Sequence, residues 1–196
     1  MRRIHDQTGR RKFLGAALVL PLVSMRTASG QALPLTPACG EKPERTPSQT
    51  AGPFYTPDSP RRGSLVEPGG GAERLALMGF VLSPQCKPVA NALLDFWHCD
   101  EAGNYDNRGF RYRGHQFTDA QGRFRLDTIV PGEYPGRTRH IHVKVQAPGG
   151  RVLTTQLYFP GEPRNRSDWI YRPELTMQIT RKGIQRDARF DFVVTS

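Results

Sequence analysis

The sequence predicts an all-β fold, an antiparallel β-sandwich of about seven strands with long loops at one end. Three observations lead there. Beyond residue 71, runs of six to eight residues rich in Val, Leu, Ile, Thr and aromatic side chains recur between clusters of turn-forming residues. Some of these runs alternate apolar and polar residues, the period of a strand with one face on a core. Outside the first 32 residues, no stretch keeps an apolar period of 3.6 for long enough to make a helix.

The strands are read at 75–82, 92–97, 123–128, 139–146, 152–159, 175–180 and 189–195, inside a domain spanning 72–196. Turn signals such as Asp119-Ala120-Gln121-Gly122 and Pro148-Gly149-Gly150 separate them. Residues 33–71, rich in Pro, Gly, Ser and Thr and ending in Gly69-Gly70-Gly71, form an extended arm that wraps the surface. Two adjacent aromatics in it, Phe54 and Tyr55, want a place to pack.

Residues 1–32 read as a twin-arginine signal peptide. Arg10-Arg11-Lys12-Phe13-Leu14 precedes an apolar stretch, 13–23, too short to span a bilayer, and small residues follow around 28–32. That export route carries folded proteins, so a metal inserted before export is favoured and the mature chain is expected in the periplasm or outside the cell. Thr36-Pro37-Ala38 before Cys39 matches a lipidation signal poorly, which leaves no stable membrane insertion once the signal is removed.

The formal charge of +10 is concentrated in the signal, where six of the 28 basic residues and one of the 18 acidic residues lie within the first 26 positions. Without them the net charge is +5, and no nucleic-acid partner is implied. The three cysteines, Cys39, Cys86 and Cys99, lack zinc-like spacing. They allow at most one disulfide within the chain, between any two of them.

In Arg139-His140-Ile141-His142-Val143-Lys144-Val145 the alternation is strict. Ile141, Val143 and Val145 face the core, and His140 and His142 project together from the opposite face, where two imidazoles can reach one metal. Alone, the pattern reads equally well as two polar residues on a sheet face. The approach to that strand, Pro131-Gly132-Glu133-Tyr134-Pro135-Gly136-Arg137-Thr138, forces a tight loop and puts a tyrosine and an arginine beside the histidines. Earlier, 97–105 ends a strand in a turn that carries Tyr105.

These segments resemble the intradiol ring-cleavage dioxygenases, the family of catechol 1,2-dioxygenase and the protocatechuate 3,4-dioxygenases. The matching stretches are 97–105, Arg113-Gly114 with Thr118-Asp119, 128–134, 137–142 and 154–159, with 50–55 similar to the family's N-terminal arm. The resemblance implies a β-sandwich whose long loops gather at the metal end, with ferric iron held by Tyr105, Tyr134, His140 and His142. Tyr105 would stay bound, and Tyr134 would leave when substrate binds and take up a proton. Arg137 would stabilise negative charge developing on the ring during oxygen attack, and Gln156 would help position the substrate. The implied partners are a small aromatic diol and O2, the implied product is a muconate-type diacid, and a homo-oligomer stays open.

The chemistry of the donors agrees, since anionic phenolates favour ferric over ferrous iron. A phenol titrates near ~10, so ionisation at neutral pH depends on the charge of the metal, without which these tyrosines are expected to be ordinary phenols. Trp97 reads as core, and His98 and His115 have no partner at metal spacing. Arg108, Arg111 and Arg113 read either as a solvated basic face or as an attraction for a carboxylated aromatic. The alternatives are a non-catalytic, transthyretin-like binding module and a hydrolase with a similar metal site. The binding module has no need of the full set of ligands with Arg137 and Gln156, and the hydrolase predicts zinc or copper, no oxygen uptake and no tyrosinate absorption.

Overall fold

Alternating apolar residues produce two facing sheets. The structure, a computed structural model, describes residues 44–69, 71–183 and 185–195, all within one compact unit. The signal-peptide reading, the first part of the arm and Cys39 lie outside the described residues. One sheet has the order β3-β2-β5-β6, built from β3 (Arg113–Phe117), β2 (Leu93–Trp97), β5 (His140–Gln146) and β6 (Leu153–Tyr158). The other has the order β4-β1-β8-β7, from β4 (Arg123–Ile129), β1 (Arg74–Leu82), β8 (Gln185–Arg189) and β7 (Gln178–Lys182), and β9 (Phe192–Val193) also pairs with β1.

The inward-facing residues close the core between the sheets. Leu77, Leu94, Phe96, Leu126, Ile141, Val143, Val145, Leu157 and Phe192 are all fully buried there. Each such side chain contributes about 1.5–3 kcal/mol relative to exposure. Gly79 lets β1 approach the following segment, because a Cβ there would lie 1.8 Å from the Phe190 carbonyl oxygen.

The sandwich expected from the sequence is present, with differences in detail. Among the described residues there are nine strands rather than seven. The two additions, β3 (Arg-Gly-His-Gln-Phe) and β8 (Gln-Arg-Asp-Ala-Arg), are too polar to show apolar alternation, and they are ordered by pairing with β2 and with β1 and β7. Residues 173–175 form a short 3-10 helix, which delays β7 to Gln178, and a break at Phe190 and Asp191 divides the segment read as 189–195. The pairing is antiparallel except where β1 meets β8 and β9 in parallel.

The arm covers the outer face of the four-stranded sheet. Thr46 exchanges hydrogen bonds with Val193, donating its N–H to the carbonyl at 3.1 Å and accepting on its hydroxyl at 2.8 Å. The Gln49 N–H donates to the Thr154 carbonyl at 2.8 Å, and the Thr155 hydroxyl donates to the Pro47 carbonyl at 2.7 Å. Farther on, Arg61 bridges to His115 and Ser64 to Asp127. β5 is therefore buried on both faces through His140, Ile141, His142 and Val143. Cys86 is in a disulfide, and Cys99 is a free, buried thiol.

Candidate metal centre

Tyr105 is set by a turn that its neighbours hold shut. The Asp100 carboxylate accepts from the N–H groups of Ala102 and Asn104 at 3.0 and 2.8 Å, and the Asp100 carbonyl accepts from those of Gly103 and Gly132 at 3.1 and 2.8 Å. The last of these bonds ties the Tyr105 loop to the loop that carries Tyr134. Both contacts depend on glycine: a Cβ on Gly103, which has φ +87°, would meet the Glu133 carbonyl oxygen at 2.2 Å, and one on Gly132 would meet that of Glu101 at 2.5 Å. Phe54 of the arm stacks on the Tyr105 ring with centroids 4.4 Å apart.

Four rings then converge. Tyr105 lies 5.8 Å from Tyr134 and 6.3 Å from His142, Tyr134 lies 5.6 Å from His140, and the two imidazoles are 4.7 Å apart, all between centroids. The Nε2 atoms of His140 and His142 approach to 3.1 Å. His140 Nδ1 lies 2.6 Å from the Thr138 carbonyl oxygen, which can only accept, so Nδ1 carries the proton and Nε2 keeps its lone pair. Trp97 stacks flat on His142 at 4.8 Å. Among the described residues, the buried Tyr105 hydroxyl and His142 Nδ1 have no hydrogen-bond partner.

Arg137 stands beside this cluster. Its Nε donates to Asp168 Oδ2 at 2.9 Å, one Nη to the Tyr134 hydroxyl at 3.1 Å and the other to Gln156 Oε1 at 2.6 Å. The Gln156 amide also donates to the Thr50 carbonyl at 3.0 Å, and its Oε1 accepts from the Tyr158 hydroxyl at 3.2 Å.

A family model described as Dioxygenase matches residues 51–195. The chain belongs to the intradiol ring-cleavage dioxygenase family. Among solved structures, the dioxygenase domain of a dioxygenase–carbohydrate-binding fusion protein from the cellulolytic bacterium Streptomyces sp. SirexAA-E is 55% identical. That match has a TM-score of 0.76 and covers 78% of this chain and 99% of that one. The 3-chlorocatechol 1,2-dioxygenase of Rhodococcus opacus 1CP is 27% identical, with a TM-score of 0.72 and coverage of 77% and 72%. Catechol 1,2-dioxygenase 2 of Acinetobacter lwoffii is 29% identical over 182 residues, covering 77% of this chain. The protocatechuate 3,4-dioxygenase beta chain of Burkholderia cepacia is 34% identical over 151 residues, covering 62%. The chain spans 65% and 64% of the lengths of these last two relatives, less than two thirds of either.

As a member of this family the chain is asked to hold iron, and its donor set fits. Burial pushes the His140 pKa down to about 4 and takes His142 well below the ordinary imidazole value, so both are neutral and keep a lone pair near pH 7. Burial raises the Tyr105 pKa above that of an ordinary phenol, with Cys99 and Tyr134 adding to the effect. Without a cation nearby Tyr105 therefore stays a protonated phenol near pH 7, harder to ionise than the ordinary phenol expected from the sequence. Its hydroxyl, buried without a partner among the described residues and in a ring cluster with His142, is a group that a cation would stabilise. Among the described residues no group of three or more His, Cys, Asp or Glu is placed to hold a metal, so an ion held by His140 and His142 would need the phenol oxygens as further donors.

Asp168 is a residue of the candidate site that sequence reasoning missed. It is buried, chelates Arg137 Nε through both carboxylate oxygens at 2.9 and 3.2 Å, and accepts from the Thr138 N–H at 2.9 Å. Burial alone would lower the Arg137 pKa, but Tyr134 and Asp168 outweigh it and raise it, so the cation persists. No local pattern announces an aspartate in the loop between β6 and β7.

The remaining sequence readings sort clearly. Trp97 is buried, as read, and also braces a candidate ligand. His98 is spent on the Cys99 carbonyl and the Thr128 hydroxyl, each at 2.7 Å, and His115 on the Ser59 carbonyl at 2.7 Å. Arg113 fits neither reading of the basic run. It is 1% exposed, and its guanidinium donates to the carbonyls of Asp106, at 3.0 and 2.8 Å, and of Phe54, at 2.6 Å, binding the turn after Tyr105 to the arm.

Proposed function

We propose that the chain cleaves the ring of a small aromatic ortho-diol between its two hydroxylated carbons, placing both atoms of O2 in a muconate-type diacid. The observation that carries this reading is the gathering of two phenols and two neutral imidazoles in one ring cluster, with the Tyr105 hydroxyl unpartnered among the described residues and the Nε2 atoms 3.1 Å apart. Tyr105, Tyr134, His140 and His142 would hold ferric iron, a donor set suited to that oxidation state. The ion, when bound, supplies the charge that ionises phenol and diol alike and draws electron density from the diolate so that its ring reacts with O2.

The side chains have separate tasks. Tyr134, half-buried and hydrogen-bonded to Arg137, can yield its position to a diol oxygen and take up the proton released there. The guanidinium, held by Asp168 and Gln156, presents fixed positive charge to a ring that turns negative. Gln156 holds the orientation of Arg137, and through it that of the substrate. Phe54 and Trp97 cover Tyr105 and His142 and exclude water. With 1–32 as a twin-arginine signal, the diol would be met in the periplasm or outside the cell.

Purified, iron-loaded protein is expected to show a broad visible tyrosinate-to-iron band that shifts when catechol is added in air, with oxygen consumed. A colourless protein that carries stoichiometric iron would sink the tyrosine ligands. A coloured protein inactive on catechol, hydroxyquinol, protocatechuate and aryl-substituted catechols would sink the reaction.

A further inference from the structure

Among the described residues Trp169 is the most exposed large apolar side chain, at 86%, yet its backbone is held on both sides. Asp168 before it is ion-paired with Arg137 at 2.9 Å, and its N–H donates to the Arg164 carbonyl at 2.9 Å. Ile170 after it donates its N–H to Asp168 Oδ1 at 3.2 Å, and the Ile170 carbonyl accepts from the Tyr158 hydroxyl at 3.2 Å and from the Gln49 amide. A bare indole on a fixed mount loses little freedom when a ligand lands on it.

Trp169 lines a groove of about 570 Å3, together with Ser48, Gln49 and Thr50 of the arm and Pro173 and Glu174 farther along the chain. That volume lies within the ~300–1,000 Å3 of small-molecule sites. The groove adjoins the candidate centre: the carbonyl of Thr50, which lines it, accepts from the buried Gln156, whose Oε1 accepts from Arg137. Several of its polar groups already have partners: Gln49 Oε1 accepts from the Tyr158 hydroxyl at 2.8 Å while the Gln49 amide donates to Ile170, Arg172 pairs with Glu174 at 3.5 Å, and the Tyr171 hydroxyl bonds to that of Thr176. A flat apolar ring suits such a surface better than a sugar, whose hydroxyls would find few free partners. A macromolecule would need far more, since specific interfaces bury about 1,200–2,000 Å2.

We propose that Trp169 is a stacking platform for the second aromatic ring of a two-ring ortho-diol, an aryl-substituted catechol whose diol ring enters the candidate metal centre. The proposal rests on the ring-cleavage reading and names a substrate class for it.

The test compares oxygen uptake by the iron-loaded full chain on catechol and on biphenyl-3,4-diol, in the parent and in Trp169→Ala and Trp169→Phe. The exposed side chain makes no core contact, so the variants should melt like the parent. Trp169→Ala is expected to lower kcat/KM for biphenyl-3,4-diol about tenfold and that for catechol less than about twofold, and Trp169→Phe to restore most of the loss. Equal losses on both diols, no loss on either, or a parent that cleaves catechol but not the biphenyl would overturn the platform and leave ring cleavage standing. If the parent cleaves neither diol, the ring-cleavage reading falls and fluorescence decides the platform. Biphenyl-3,4-diol must then quench exposed indole emission in the parent and not in Trp169→Ala, which keeps only the buried Trp97. No such difference, or equal quenching by cellobiose, overturns it.

Discussion

β4 and β5 obey the same alternation and meet opposite fates. On β4 the outward residues Arg123, Arg125 and Asp127 stand in water, and Arg125 pairs with Asp127 at 2.7 Å between side chains 56% and 44% exposed. On β5 the outward residues His140 and His142 are covered by the arm and the Tyr134 loop and are buried. Polar groups in water cost nothing to keep, whereas buried ones must be satisfied or the fold loses stability. The covered face meets that demand with a dense network around Arg137, Asp168 and Gln156, and leaves the Tyr105 hydroxyl and His142 Nδ1 unpartnered where the chemistry is proposed.

The sharpest way to break this contrast is to cut one ion pair on each face. Asp168→Ala strands the Arg137 cation inside and is expected to cost about 3–5 kcal/mol, read as a lower urea midpoint. Asp127→Ala on the open face should change stability by less than about 0.5 kcal/mol. Similar losses would mean that burial is not what separates the two faces.

A second test uses pH. Burial holds the His98 pKa at about 4, against 6.5 for a free imidazole, so as pH falls the unfolded chain takes the proton first. His98 thus supports the fold fully above pH 6.5 and loses about 3 kcal/mol of that support as pH falls toward 4. Urea melts of metal-free protein at pH 7 and pH 4 should differ by that much less in His98→Asn, whose amide can still donate toward the Cys99 carbonyl. An unchanged difference would place the acid sensitivity elsewhere.

A third change concerns the loops. Gly132→Ala forces a Cβ to within 2.5 Å of the Glu101 carbonyl oxygen and 2.6 Å of the Gly103 nitrogen, and should cost about 1–3 kcal/mol. It should also weaken iron retention, because it parts the loops that carry Tyr105 and Tyr134. Full iron binding with a normal tyrosinate band would show that the loop contact is not needed. A smaller effect than at Gly132 is expected at Lys144, whose Nζ sits 3.8 Å from the centre of the Tyr55 ring: Lys144→Ala should cost about 0.5–1 kcal/mol.

Much of this was legible in advance because alternation is a local property. The pattern in 139–146 separates Ile141, Val143 and Val145 from the two histidines whatever lies around the strand. Pro and Gly around Tyr134 mark a tight loop for equally local reasons. The polar strands β3 and β8 were not legible, because their order comes from hydrogen-bonding partners far away in the chain.

The sequence by itself determined the class of fold, the core-facing residues and the resemblance that draws Tyr105, Tyr134, His140 and His142 together. Alternation, however, divides a strand into two faces without saying what will cover the second one. Only the tertiary structure decided that the arm seals the histidine face, that Asp168 reaches Arg137 from 31 residues away, and that Arg113 is sealed inside. Each of these depends on a long-range contact whose energy is realised only after the chain has closed the loop between its partners.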